Sequence, residues 1–339
     1  MLKRHVAIVG AGFAGLALCY YLQRDFDVKV TLFDDQGVGK GASGIAAGLV
    51  HPYPGKEMRL SWKGDEAMVA TRELLDVASH TLGRCVYRSG VYRAALTPRQ
   101  TDALRAMDGQ GRALLSRESP AMKQLCLDQP RGYLPQALTV APRLYLEGLK
   151  EACCALGAHL ALESVGWRAL SSFDDVVIAA GARSQEFFPR APLPLRINKG
   201  QLLAVDPAPL SSQHKSVIGN GYLAYDPTWP CAYFGSTYEH HFTTPAPSFA
   251  TAKEVILPRI EHFLRAPKAF QLLDCVAGLR ASRQTCYHPL VDQMGRAAWV
   301  FTGLGSRGLL YHAYLGRLLA QAIAWQRRAV LPLEVRLKS

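Results

Sequence analysis

Residues 4–35 read RHVAIVGAGFAGLALCYYLQRDFDVKVTLFDD, and this stretch decides the fold. RHVAIV (4–9) is short, apolar and β-branched, which predicts a buried strand. A turn carrying Gly10, Gly12 and Gly15 follows, then a helical run, LALCYYLQR. VKVTLF (28–33) predicts a second strand, closed by Asp34 and Asp35. Together they make a βαβ unit of about thirty residues, the length such a unit needs. In a G-x-G-x-x-G turn of this kind Gly10 permits the tight bend and Gly12 lets the backbone approach a pyrophosphate. Gly15 lets helix and strand pack closely. Phe13 and Ala14 open the helix, whose unpaired N–H groups and positive dipole end would face the phosphates. Asp34, 19 residues past Gly15, is placed for the 2′-hydroxyl of an adenosine ribose and disfavours a 2′-phosphate. The unit therefore predicts dinucleotide binding.

The 339 residues are 49% apolar and 19% charged, a composition that folds. Their formal net charge is +12. The length predicts two domains, or one large α/β domain with an insertion. The glycines lack a Gly-X-Y period, which excludes collagen, and no long repeat suggests a solenoid or propeller. The eight cysteines are irregularly spaced, with no C-x-x-C pair and no Cys/His cluster of zinc spacing. Reduced thiols in a cytoplasmic protein, without a metal site, are expected. Lys3, Arg4 and His5 precede an uncharged run, 6–23, that imitates a signal peptide or a membrane span. The fixed glycine spacing and the strand that follows oppose both readings, so no membrane insertion is expected.

Residues 36–48 are Gly- and Ala-rich and hold a second glycine cluster: Gly41, Ala42, Ser43, Gly44 and Gly48, with Leu49 after it. An uneven helical pattern runs from 57 to 82. The stretch 84–131 changes character, with short strand-like runs, a helix after Pro98 and many arginines. Residues 142–156 return to a helix that begins at Pro142 and stops at Gly157. HLALE (159–163) and DVVIAAG (175–181) read as buried strands. Residues 195–275 read as sheet again, with strands near 200–205, 221–225 and 232–238 and a helix near 251–264. WVFTGLG (299–305) is a strand meeting a Gly turn, and 309–325 is a long apolar helix. The expected architecture is α/β plus β. A Rossmann-type nucleotide-binding domain takes 1–83, 132–194 and 276–339. A discontinuous mixed-sheet substrate domain takes 84–131 and 195–275.

Five segments, in order and spacing, resemble the D-amino acid oxidase superfamily of FAD-dependent oxidoreductases. They are VAIVGAGFAG with VTLFDD, GASGIAAGL (41–49), FDDVVIAAGARS (173–184), PLRINKGQLL (194–203), and GLRASRQTCYHPLV with VFTGLGSRGLLYHAYLGRLLA (278–320). Within the superfamily, GLVHPY, GYLPQALTVAPRLY, YFGSTYEHH and above all GLGSRGL resemble one group. That group is the oxidoreductase domain of the bifunctional tRNA 5-methylaminomethyl-2-thiouridine biosynthesis proteins. The resemblance implies the glutathione reductase-2-like architecture of this superfamily, FAD as cofactor, and oxidation of a C–N bond. In that group the substrate is the carboxymethylaminomethyl side chain of the tRNA wobble uridine, which loses its carboxymethyl arm. The chain has no room for the partner methyltransferase domain, so a stand-alone enzyme is expected. It departs from the family pattern between Arg280 and Pro289, where it holds one more residue.

The resemblance also implies site residues. Gly41, Ala42, Ser43, Gly48 and Leu49 would lie over the FAD, and Ala180 and Gly181 would form a later contact. Gly303, Gly305, Ser306, Arg307, Gly308 and Leu309 would bring the N-terminus of the last helix to the flavin, where negative charge develops on reduction. Arg280 would bind a carboxylate in two-point geometry. Arg307 is read as a second substrate cation or a loop support. His51 would lie beside the flavin ring or be a core histidine, and Tyr222 and Tyr238 would wall the pocket or pack the sheet. Cys286 is similar in place to the cysteine that tethers FAD in sarcosine oxidases, but its flanks differ.

Three readings compete: an FAD enzyme acting on the modified tRNA nucleoside, an FAD oxidase of a free small amine such as glycine, sarcosine or a D-amino acid, and a non-enzymatic flavoprotein. A hydroxylating monooxygenase fits less well, because GLGSRG replaces its G-D-A segment. Residues 84–131 and 307–339 carry +5 each. A basic face built from both would suit a tRNA backbone.

Overall fold

The computed structural model describes residues 3–55, 57–115 and 119–337. Its strands form two sheets. The six-stranded sheet runs Leu290–Gln293, Ala298–Thr302, Asp175–Ile178, Arg4–Val9, Val28–Phe33, His159–Ala161. All its neighbours are parallel except the first pair, an antiparallel hairpin. The central strand, Arg4–Val9, is wholly buried from Val6 onward, as its unbroken apolar run requires.

Helices Phe13–Asp25, Gly64–Leu82, Pro142–Ala155 and Gly308–Ala324 cover one face and share its main apolar core. The first and last of these approach closely at Gly316, where an added Cβ would lie 3.1 Å from the Ala17 methyl. Strand to sheet, Asp175 is a buried carboxylate taking hydrogen bonds from Arg4, Gln326 and Trp299 Nε1, the last at 3.0 Å. Burial pushes its pKa up, and the Trp299 and Arg4 contacts oppose the rise.

The eight-stranded sheet runs Leu272–Arg283, Leu195–Val205, Ala232–Gly235, Tyr222–Ala224, Val217–Ile218, Tyr87–Ala94, Arg131–Val140, Leu49–Val50. Helix Phe249–Glu261 buries Ala252, Ile256 and Ile260 in a second apolar core with Leu203, Phe234 and Phe263. The expected boundaries at 131/132 and 275/276 fall at or inside strands of this sheet. Arg131–Val140 pairs with Tyr87–Ala94, and Leu272–Arg283 pairs with Leu195–Val205 along its whole length. The expected bounds give 132–140 and 276–283 to the nucleotide-binding part and the rest of each strand to the other, because apolar strands carry no mark of the sheet they join. The helix expected from 57 begins at Gly64, since Met58 and Lys63 have positive φ. No described helix is long and apolar enough to cross a membrane.

Candidate active site

One cavity of about 830 Å³ lies between the sheets. The carboxyl ends of the six-stranded sheet line one part, and the inner face of the eight-stranded sheet lines the other. This is the crevice in which open α/β sheets bind ligands.

The nucleotide end is built by glycines. Gly10 has φ +111°, and a Cβ there would stand 2.5 Å from the Ala179 carbonyl. Gly12, Phe13 and Ala14 line the cavity, while Gly15 does not. Its role is packing, because a Cβ there would fall inside the Gly10 carbonyl. Ser43 of the second glycine loop crosses the start of the first helix and accepts from the Phe13 N–H at 3.1 Å. A Cβ on Gly12 would reach 2.9 Å from that same Ser43 oxygen, so the two glycine motifs fit each other. Asp34 lines the cavity, and its carboxylate accepts from the N–H groups of Ala11, Gln36 and Gly37 at 2.8, 3.0 and 2.8 Å. It thus ties the phosphate turn to the strand end. Asp35 also lines the cavity and pairs with Arg183 at 2.6 Å. Arg183 and Trp167 also line the cavity and are not singled out by the sequence: Arg183 lies within the quoted segment 173–184 but its pairing with Asp35 is tertiary, and Trp167 sits in no motif.

Gly41, Ala42, Gly48, Leu49, Ala180, Gly181, Gly303, Gly305, Ser306, Gly308 and Leu309 all line the cavity. Gly303 and Gly305 adopt φ of +71° and +55°, a bend few other residues take. The helix they introduce, Gly308–Ala324, has no side-chain cap and no acid in its first turn, so its positive end is left for a ligand. Behind it, buried His312 shares a hydrogen bond with Tyr145 Oη and places Nδ1 3.1 Å from the Leu309 carbonyl. Burial lowers the His312 pKa to about 4, so the ring is neutral: Nδ1–H donates to the carbonyl and Nε2 accepts from the phenol. Phe13 packs against both rings.

At the other end Arg280 and Tyr222 line the cavity together, with Ser236. Arg280 lies over Gly200 and Tyr222 over Gly235, and a Cβ on either glycine would enter the side chain above it. Burial pushes the Tyr222 phenol up, opposed by the Arg280 charge and by Ser236, so it remains a hydrogen-bond donor at neutral pH. A guanidinium beside a phenol O–H can receive a carboxylate.

Several expected residues lie elsewhere. His51 is absent from the cavity lining. Its Nδ1 accepts from the Tyr53 N–H at 3.2 Å, and burial, then the Arg93 charge, holds its pKa near 3. Arg307 is also absent; its guanidinium lies over the Tyr287 ring instead. Tyr238 is exposed, with its hydroxyl at Asn198, and Cys286 does not line the cavity. The strand alternation that turns Tyr222 inward gives Tyr238 no such constraint, since it lies beyond the end of Ala232–Gly235.

The residues fit FAD on two grounds of shape: Gly10, Gly12 and Gly48, where close packing leaves no room for a Cβ, and two helix N-termini at one cavity, neither capped by the side chain of its own N-cap residue. A family profile for FAD dependent oxidoreductases matches residues 5–322. The chain belongs to this family. It is an FAD-dependent oxidoreductase whose Rossmann-type sheet carries the cofactor beside a second, substrate-side sheet.

Other members are similar over nearly all of the chain. The bifunctional tRNA 5-methylaminomethyl-2-thiouridine biosynthesis protein of Verminephrobacter eiseniae is 29% identical over 97% of this chain and 62% of its own length. That of Polaromonas naphthalenivorans is 28% identical over 97% of this chain and 58% of its own length. The chain thus spans about three fifths of the length of each of these two relatives. Among solved folds, glycine oxidase of Bacillus cereus is 19% identical with a TM-score of 0.76, covering 96% of each chain. Iminodiacetate oxidase of a Chelativorans species is 19% identical with a TM-score of 0.75, covering 97% of each.

Proposed function

We propose that this FAD-dependent oxidoreductase oxidises the C–N bond of an N-substituted glycine, and that its substrate is the carboxymethylaminomethyl group of the tRNA wobble uridine. The pairing of Arg280 with Tyr222 at the cavity carries the first part: it is suited to hold the carboxylate of a carboxymethyl arm. FAD, when bound, supplies the two-electron acceptor for the carbon next to nitrogen. Arg280 and Tyr222 orient the arm, and the positive end of helix Gly308–Ala324 favours negative charge at the flavin. The tRNA part is supported by likeness to the wobble-uridine biosynthesis proteins across 97% of this chain.

The same carboxylate receptor would accept a free amino acid, and the folds of glycine oxidase and iminodiacetate oxidase suit that second reading. Several arginines of the two basic segments are already engaged within the chain. Arg99, Arg105 and Arg112 pair with Glu57, Asp102 and Asp65, Arg328 pairs with Asp292, and Arg93 and Arg131 are buried.

Nucleoside mass spectrometry of tRNA from cells with and without the gene tests the proposal. Accumulation of the carboxymethylaminomethyl nucleoside in its absence is expected. Unchanged tRNA nucleosides, with hydrogen peroxide released from glycine or sarcosine by the purified protein, would establish the second reading instead.

A further inference from the structure

Among the described residues no large apolar or aromatic side chain is more exposed than Tyr287, at 82%. It is nonetheless held in place. The Arg307 guanidinium lies over its ring, 5.0 Å from the centroid. Arg307 lies in sequence between Ser306 and Gly308, which both line the cavity, so its backbone adjoins that cavity while its side chain reaches Tyr287. His288, next to Tyr287, meets Trp62 edge-on at 5.2 Å, and Trp62 meets Tyr314 at 6.2 Å. Arg307, Arg283 and Glu334 lie around His288, and Lys63, Glu66, Arg317 and Glu334 around Tyr314; the Glu334 carboxylate accepts from Trp62 Nε1 at 3.2 Å. An aromatic face left to solvent and backed by a guanidinium is the arrangement that receives an unpaired nucleobase.

We propose that Tyr287 and Arg307 form a stacking platform for a nucleobase of single-stranded RNA adjoining the nucleotide whose side chain enters the cavity. The inference rests on the tRNA reading given above. To reach Arg280 and Tyr222, the modified uridine must leave its stack, and its neighbour then loses a stacking partner. Tyr287 replaces that partner, and Arg307 adds a cation within reach of the connecting phosphate. A free amine would have no use for the platform.

The test is fluorescence anisotropy with a labelled anticodon stem-loop RNA and FAD-loaded protein, comparing wild type, Tyr287→Ala and Tyr287→Trp. Tyr287→Ala is expected to weaken binding on the order of tenfold, and Tyr287→Trp to restore it, with flavin absorbance unchanged in all three. If wild type does not bind the RNA, the tRNA reading fails and the platform with it. If wild type binds and Tyr287→Ala binds as tightly, the tRNA reading stands and the platform is overturned. Equal weakening by Ala and Trp also overturns it, since stacking would then not be the cause.

Discussion

The Arg280 guanidinium rests on the bare backbone of Gly200, one strand away, in the space a side chain at Gly200 would fill. Arg280 stands opposite Asn198 in the antiparallel register, which makes Gly200 its diagonal neighbour on the same face. A glycine two residues along thus aims the cation.

Gly200→Ala should displace the guanidinium while leaving the nucleotide end intact. The dissociation constant for iminodiacetate, followed by perturbation of the flavin spectrum, is expected to rise roughly 10-fold or more, the worth of one charged hydrogen-bonded pair. Unchanged affinity would show that Arg280 does not hold the carboxylate.

Arg280→Met removes the cation but keeps much of the apolar stem. Iminodiacetate binding should weaken by roughly 10- to 100-fold with full FAD content. Loss of FAD in this variant would instead give Arg280 a role in the cofactor site.

Gly15→Ala acts at the opposite end. Its Cβ would enter the Gly10 carbonyl, so the helix must move off the strand. A loss of about 1–3 kcal/mol in urea unfolding is expected, as for an overpacked core, together with a lower flavin-to-protein absorbance ratio.

His312 predicts acid sensitivity. Its folded pKa, lowered by burial to about 4, lies below the ordinary 6.5, so the unfolded chain takes up a proton first. Above pH 6.5 the residue contributes no pH dependence. Between pH 6.5 and 4 stability should fall as pH falls, by about 3 kcal/mol in all from this group. Urea midpoints across this range should show a shallower slope for His312→Gln than for wild type.

Much of the nucleotide end was legible in the sequence. Gly10, Gly12, Gly15 and Asp34 lie within one short βαβ unit, where local spacing alone brings them together. Even Ser43 was visible as part of a second glycine cluster, although its bond to the Phe13 N–H was not. The substrate end was read less well. Arg280 and Tyr222 were named and do line the cavity, but His51 and Arg307 were named and do not. Ser236 lies within the quoted segment YFGSTYEHH but is not singled out there, because only the folded sheet brings it beside Tyr222.

The sequence by itself determined the dinucleotide-binding unit, because a glycine turn, a helix start and a strand-end acid work through neighbours a few residues apart. Only the tertiary structure decided which cation faces the cavity. Arg280 and Arg307 are equally arginine in the sequence. One lies over Gly200 in a paired strand and so points into the cavity, while the other turns outward onto Tyr287. Strand register and the direction of a single helical turn fix that difference, and neither is written in the order of residues near them.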